Sequence, residues 1–232
     1  MKRPRGSWLG VAGPLSIAGR PVGTMEGSTV QRLLAIGLLL TGLTFLGAWT
    51  WEQLDTRWFQ ATQNRRLAEL QQSRSSSPHG TKTSASSATR AKEPPADNVP
   101  PHTGDLIGKI DIGRVGLSAI IAEGTDSRTL RRAVGHVPST PLPGDEGNVV
   151  LAGHRDSFFR ALRTVEEGDE IDLTTPDATL RYEITSIEVV GAEDTDVLWP
   201  TKEKSLTLIT CYPFHYLGPA PDRFVVRARQ LD

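Results

Sequence analysis

The stretch TLITCYPFHYLG, Thr207 to Gly218, reads in two halves. β-branched and apolar residues run without a breaker to the cysteine, and proline, aromatics and glycine then end what reads as a strand. Cys211 is the single cysteine of the 232-residue chain. A lone thiol at a strand end is either buried filler, because free cysteine is among the most buried residue types, or a nucleophile. It cannot form a disulfide within the monomer, which leaves an intermolecular bridge as the third reading.

The segments around this strand are of the same kind. LIGKIDI (106–112), LSAIIAEG (117–124), NVVLAG (148–153), EIDLTT (170–175), TLRYEITSIEVV (179–190), SLTLITCY (205–212) and RFVVRARQ (223–230) alternate or run apolar over short lengths, with Gly, Pro, Asp and Glu between them. Only GTDSRTLRRAVGHV (124–137) has a helical look, with Asp126 or Ser127 as N-cap and Gly135 near its end. Seven or eight short strands with one or two short helices predict a mainly β fold, a closed or nearly closed barrel, over residues 104–232. No internal repeat is visible.

The rest of the chain is built differently. Residues 1–32 carry Lys2, Arg3, Arg5, Arg20 and Arg32 against one acid, Glu26. Leu33 to Trp51 is then an uncharged apolar run of about 19 residues, enough to cross a bilayer as a helix. A signal peptide has a shorter apolar core and a small-residue cleavage site, whereas this run ends in Trp49 and Trp51, with Trp58 beyond, which suits the headgroup layer. The reading is a retained transmembrane anchor with a cytoplasmic N-terminal tail and an extracytoplasmic C-terminal bulk: a single-pass cytoplasmic (inner) membrane protein. Met25 is a candidate start, since MEGSTVQR directly abuts the span. Within 52–103, Glu52 to Gln72 reads as a juxtamembrane helix with weak apolar spacing, and Ser73 to Thr103 as a disordered Ser/Pro-rich stalk holding His79 and His102, read as solvated. A net charge of −1 gives no reason to expect nucleic acid.

Three places depart from a plain barrel. In LAGHRD a strand ends, Gly153 lets the backbone bend and His154 follows beside Arg155 and Asp156. Cys211 is the second. Arg223 in APDRFVVRA is the third, with Arg227 four residues on, sharing its strand face and competing for any arginine role. Taken singly, His154 reads as a strand-end histidine, Cys211 as buried and Arg223 as a surface charge. Together they meet the needs of thiol acyl transfer. A free cysteine supplies little thiolate at neutral pH without a histidine or cation nearby, the leaving amine needs a proton donor, and the oxyanion needs a cation or N–H donors.

TLITC resembles the TLxTC signature of the sortases, and NVVLAGHRDSFFRAL and APDRFVVRA resemble the histidine and arginine segments of that family, in the same order. The resemblance covers residues 104–232; CYPF and GHRDSFFRAL look closest to class D or the similar class E. It implies an eight-stranded sortase β-barrel behind a single transmembrane helix, and a cysteine transpeptidase (EC 3.4.22 type) at the outer face of a membrane. Cys211 would be the nucleophile, His154 the general acid and base, and Arg223 the group that positions substrate and stabilises the oxyanion. It further implies cleavage of an LPxTG-like sorting signal on secreted proteins, through a thioester acyl-enzyme resolved by an amine of a cell-wall precursor or a pilin lysine. A mainly hydrolytic thiol peptidase and a non-catalytic barrel that binds sorting motifs are the alternatives.

Supporting positions follow. Thr210 can place its hydroxyl near the thiol or substrate, or be a plain strand residue. GAEDTDVLWPTKEKS (191–205) would flank the substrate groove by analogy with the family, and Leu198 and Trp199 there would touch the sorting motif or pack among themselves. Asp156 reads as a loop carboxylate. Glu166, Glu167, Asp169, Glu193, Asp194 and Asp196 could supply calcium oxygens, but dispersed acids assign no metal. Cys211 and His215 are two ligands where zinc needs more. No cofactor is expected.

Overall fold

The computed structural model describes residues 26–75, 100–216 and 218–231. The tail before Glu26, most of the stalk and His79 lie outside the described residues. The chain divides into two compact units, Met1–Trp49 and Thr50–Asp232.

The apolar run belongs to helix α1, Glu26–Ser75. In the first unit, Leu33, Leu34, Leu38, Leu39 and Phe45 all leave more than half of their surface exposed. A helix apolar all round is either a core helix or a membrane span. This one is long and apolar enough to cross a membrane, and none of its apolar window is buried in protein.

In the second unit, residues of α1 pack on the barrel. Phe59 packs on Ile120, Ala122 and Ala133, and Leu67 is buried. The Gln60 amide donates to the Arg132 carbonyl at 2.6 Å and accepts from the Ile120 N–H at 2.9 Å. Arg132 meets Asp55 with two bonds of 2.7 and 3.0 Å. The reason lies in the barrel edge: strand β2 (Leu117–Glu123) has a partner on that side only from Ile121 onward, so the Ile120 N–H takes its acceptor from the helix.

Eight strands close the barrel. β1 (Leu106–Ile112), β2, β3 (Val134–His136), β4 (Asn148–Ala152), β5 (Glu170–Thr174), β6 (Thr179–Gly191), β7 (Ser205–Tyr212) and β8 (Asp222–Gln230) follow the spatial order β1-β2-β3-β4-β7-β8-β6-β5. The β2/β3 and β4/β7 pairs are parallel and the others antiparallel. Closure removes the open edges that a sheet this size would otherwise expose.

The expected helix is shorter than its sequence pattern. α2 is Ser127–Arg132, capped by Asp126, whose carboxylate accepts from the N–H groups of Arg128 (2.9 Å) and Thr129 (3.2 Å). Gly135 is not a helix end but the middle of β3. A Cβ there would stand 2.3 Å from the Gly124 carbonyl oxygen, so only glycine fits. β3 is held by its last residue: buried His136 meets buried Glu123 at 2.6 Å through Nδ1, and its Nε2 faces the Pro141 carbonyl at 3.0 Å and the Thr140 hydroxyl at 3.1 Å.

The core lies inside the barrel. Val149 and Leu151 of β4, Leu206 and Leu208 of β7, and Val226 and Ala228 of β8 enter it, so the alternate residues of these strands face outward. A 3-10 turn, Phe158–Thr164, places Phe159 and Leu162 against the same core, both fully buried. Arg114 ties another 3-10 turn, Gly113–Val115, to the start of β5: it pairs with Asp169 and donates to the Thr164 carbonyl at 2.5 Å. Asp169 is thereby committed to an arginine, and among the described residues no three His, Cys, Asp or Glu side chains are grouped to hold a metal.

Candidate active site

Register brings the three singled-out residues together. Cys211 is directly opposite Arg223 in the antiparallel β7/β8 pair, and both lie on the outward face, out of phase with Leu208 and Val226. Directly opposed residues on one face stand about 5 Å apart at Cα, within side-chain reach. Ala152, the last residue of β4, is paired in parallel with Ile209, and the Gly153 N–H donates to the Ile209 carbonyl at 3.2 Å. Two residues further along each chain are His154 and Cys211. His154 therefore follows the end of β4 level with Cys211 on the neighbouring strand. All three are partly exposed, as groups that must meet a peptide need to be.

The two arginines separate. Arg227 does share the face of Arg223, but it sits opposite Thr207, about 13 Å along the strand from Arg223 at 3.3 Å per residue. Its Nε donates to Glu188 at 2.9 Å. Arg223 donates through Nη1 to the carbonyls of Ala220 (3.2 Å) and Asp222 (2.9 Å), and no ion pair engages it among the described residues.

Local packing explains how His154 is presented. Gly153 does not need an unusual backbone angle; it needs to lack a side chain. A Cβ there would lie 2.8 Å from the ring of Phe159, which is fully buried. The ring of Phe159 lies on this glycine, so no side chain fits at 153.

Thr210 is placed differently from the expected substrate contact. Adjacent strand residues point to opposite faces, so its side chain turns away from Cys211; it is buried, and its hydroxyl donates to the Gly153 carbonyl at 2.8 Å. It straps β7 to the residue before His154.

Arg155 and Asn148 hold the loops beside the site, and neither role is visible from residue type. Arg155 Nη1 donates to the Pro213 carbonyl at 3.0 Å, and Nη2 to those of Tyr216 (2.7 Å) and Gly218 (3.2 Å), with the guanidinium 5.9 Å from the centre of the Tyr216 ring. One side chain thus joins the histidine turn to the loop after the cysteine. Asn148 is fully buried on the outward face of β4. Its Nδ2 donates to the carbonyls of Val197 (3.0 Å) and Trp199 (3.3 Å), and its Oδ1 accepts from Thr207 at 2.7 Å. It fixes the β6/β7 connection across the face that carries Cys211. Leu198 is 37 % and Trp199 63 % exposed on that connection. Asp156 and His215 are exposed.

A sortase domain model matches residues 110–231, more than half of the chain. The chain belongs to the sortase family. It is 30 % identical to Sortase D of Bacillus subtilis over 203 residues, covering 87 % of this chain and all of that one. It is also 30 % identical over 110 residues to Sortase A of Listeria monocytogenes, covering 46 % of this chain and 49 % of that one. Among solved structures, a Clostridium perfringens Sortase D5 transpeptidase superposes with a TM-score of 0.53 at 36 % identity, over 57 % of this chain and 83 % of that one. C. perfringens sortase C, solved with the C-terminal cell wall sorting motif, gives 0.52 at 30 % identity, over 56 % and 73 %. Class D fits these similarities. The eight-stranded barrel read from the sequence is the sortase fold, and the family is one of cysteine transpeptidases.

Proposed function

We propose that this sortase is a membrane-anchored transpeptidase that cleaves an LPxTG-like signal and transfers the protein bearing it to an amine. The thiolate of Cys211 attacks the threonine carbonyl of the signal, and Arg223 stabilises the oxyanion. When the carbon–nitrogen bond to glycine breaks, His154 gives a proton to the departing amine and the acyl group stays on Sγ as a thioester. The incoming amine attacks the same carbonyl carbon and loses its proton to His154, and the thiolate leaves. The acceptor is an amine of a cell-wall precursor or a lysine of another subunit. The apolar side chains of Leu198 and Trp199 flank the entering signal.

The observation that carries this reading is the register that sets Cys211 opposite Arg223, with His154 two residues beyond the Ala152/Ile209 pair. The apolar α1 supports anchoring in the cytoplasmic membrane, and the basic residues before it support a cytoplasmic N-terminus with the barrel outside. Residues 1–32 would then be the tail, 33–51 the span, 52–103 the juxtamembrane helix and stalk, and 104–232 the catalytic domain. No cofactor is required by the chemistry.

The roles are tested by replacing each arginine. With an LPxTG-like peptide and an amine, Arg223→Ala should lower kcat/KM by at least about 100-fold, the scale of losing an oxyanion donor. Arg227→Ala should cost less than about threefold. Equal losses would remove Arg223 from the proposed role.

A further inference from the structure

A cleft opens on His154, and Cys211 is not among the residues that line it. It has a volume of about 810 Å³, and its lining includes His154 itself, the turn into β2 (Val115–Ser118) and the 3-10 segment after the histidine. No residue of β7, β8 or the β6/β7 connection lines it. A molecule in this cleft reaches the imidazole without crossing the face on which the donor peptide is proposed to lie. Such a path suits the second half of a two-step transfer, in which an amine must come to His154 while the acyl group still occupies the cysteine side.

The charge of the cleft says what kind of amine. Arg131, Arg160 and Arg163 line it, all three exposed, and among the described residues none is ion-paired with a carboxylate. Asp156 is the one acidic residue in the lining. Three guanidinium groups around one opening repel one another. Arginine matches carboxylate and phosphate oxygens with paired N–H donors, and such bonds are the stronger kind. The arginines come from separate elements, α2 for Arg131 and the 3-10 segment for Arg160 and Arg163, so the grouping is tertiary.

We propose that this cleft seats the amine acceptor, and that Arg131, Arg160 and Arg163 recognise an anionic group, carboxylate or phosphate, carried on the acceptor beside its amine. The inference rests on the transpeptidase reading. Positive groups in the cleft also disfavour the protonated amine, so that the amine entering beside His154 is the neutral, nucleophilic form.

The test uses the full chain, an LPxTG-like peptide, and acceptors paired so that only the anion differs: Nα-acetyl-lysine with Nα-acetyl-lysinamide for carboxylate, and O-phosphoethanolamine with ethanolamine for phosphate. The wild type should show a KM at least tenfold lower for the anionic member of one pair, and the pair that shows it identifies the anion. That advantage should shrink as NaCl rises from 50 to 500 mM, while the neutral member is unchanged. Arg131→Gln/Arg160→Gln/Arg163→Gln should abolish the preference and leave acyl-enzyme formation within twofold. The salt series on the wild type decides the matter even where the triple variant folds poorly. Acyl-enzyme that forms normally and is resolved with no preference for either anionic member overturns this proposal alone. A folded wild type that never forms acyl-enzyme overturns the transpeptidase reading with it.

Discussion

Replacing Arg155 by Gln removes a side chain that joins the turn carrying His154 to the loop following Cys211. Three bonds to the carbonyls of Pro213, Tyr216 and Gly218 are at stake, with donor–acceptor distances of 3.0, 2.7 and 3.2 Å. A hydrogen bond from a charged donor contributes about 1.5–3 kcal/mol where water is excluded, but Tyr216 and Gly218 are exposed, and water replaces part of what is lost. A net cost of about 1–3 kcal/mol follows, felt as loosening of residues 213–221 more than as global unfolding. At about 1.4 kcal/mol per factor of ten, an ordered site that becomes that much rarer lowers kcat/KM by about 5- to 150-fold. Arg155→Lys should recover only part, because an ammonium cannot reproduce the planar fork that reaches several carbonyls at once. The assay is peptide cleavage on folded protein, paired with amide hydrogen exchange across 213–221. Wild-type kcat/KM together with unchanged exchange in Arg155→Gln would refute the clamp.

Asn148→Ala leaves the buried Thr207 hydroxyl and two loop carbonyls without their partner, so it should cost about 2–4 kcal/mol in urea unfolding and raise KM for the peptide more than it lowers kcat. Gly153→Ala drives a methyl into the Phe159 ring, and because that ring is fully buried the variant should lose about 1–3 kcal/mol and most of its activity through displacement of His154, as measured by unfolding and peptide cleavage. Asp169 is held below the usual carboxylate range, first by its hydrogen bond to Arg114 and also by the Glu166 N–H. The stability this supplies is complete above the unfolded value of about 4 and is lost as pH falls through the lower folded value, so Arg114→Gln should flatten the acid limb of a midpoint-against-pH curve. At the other end, burial pushes the Tyr182 phenol up to about 12. Its contribution is present below about pH 10 and is lost between there and 12, and Tyr182→Phe should remove that alkaline loss.

Much of the barrel was legible because its long strands carry their own signal: the LIGKIDI segment is β1 residue for residue. The strand that escaped is β3, three residues set directly behind a capped helix. Its identity depends on a parallel pairing with β2 and on the Glu123–His136 contact, which local periodicity does not contain. The docking of the juxtamembrane helix is not written in its sparse apolar positions; Gln60 and Asp55 dock it through polar bonds to backbone and arginine. At the site, the three residue types pointed to thiol chemistry, but their meeting depends on the β4/β7 register, joined across more than 50 residues. Of the two readings open for Thr210, strand alternation favours the plain strand residue, since the residue beside a strand cysteine faces the other way, and its hydroxyl bonds the Gly153 carbonyl. Arg155 and Asn148 could not have been found by type, because their partners are backbone carbonyls 49 to 63 residues away.

In the proposed reaction, Cys211 takes the acyl group of a sorting signal. Intact-protein mass spectrometry of the chain incubated with LPxTG-like peptides, quenched in acid before an amine is added, reads this directly. The expected result is an added mass equal to the peptide up to its threonine less one water, located on Cys211, absent from Cys211→Ala and lost when an amine is supplied, with the amide product appearing in its place. Folded protein that carries no adduct with any peptide of the panel would contradict it, and an adduct released only to water would make the protein a peptidase.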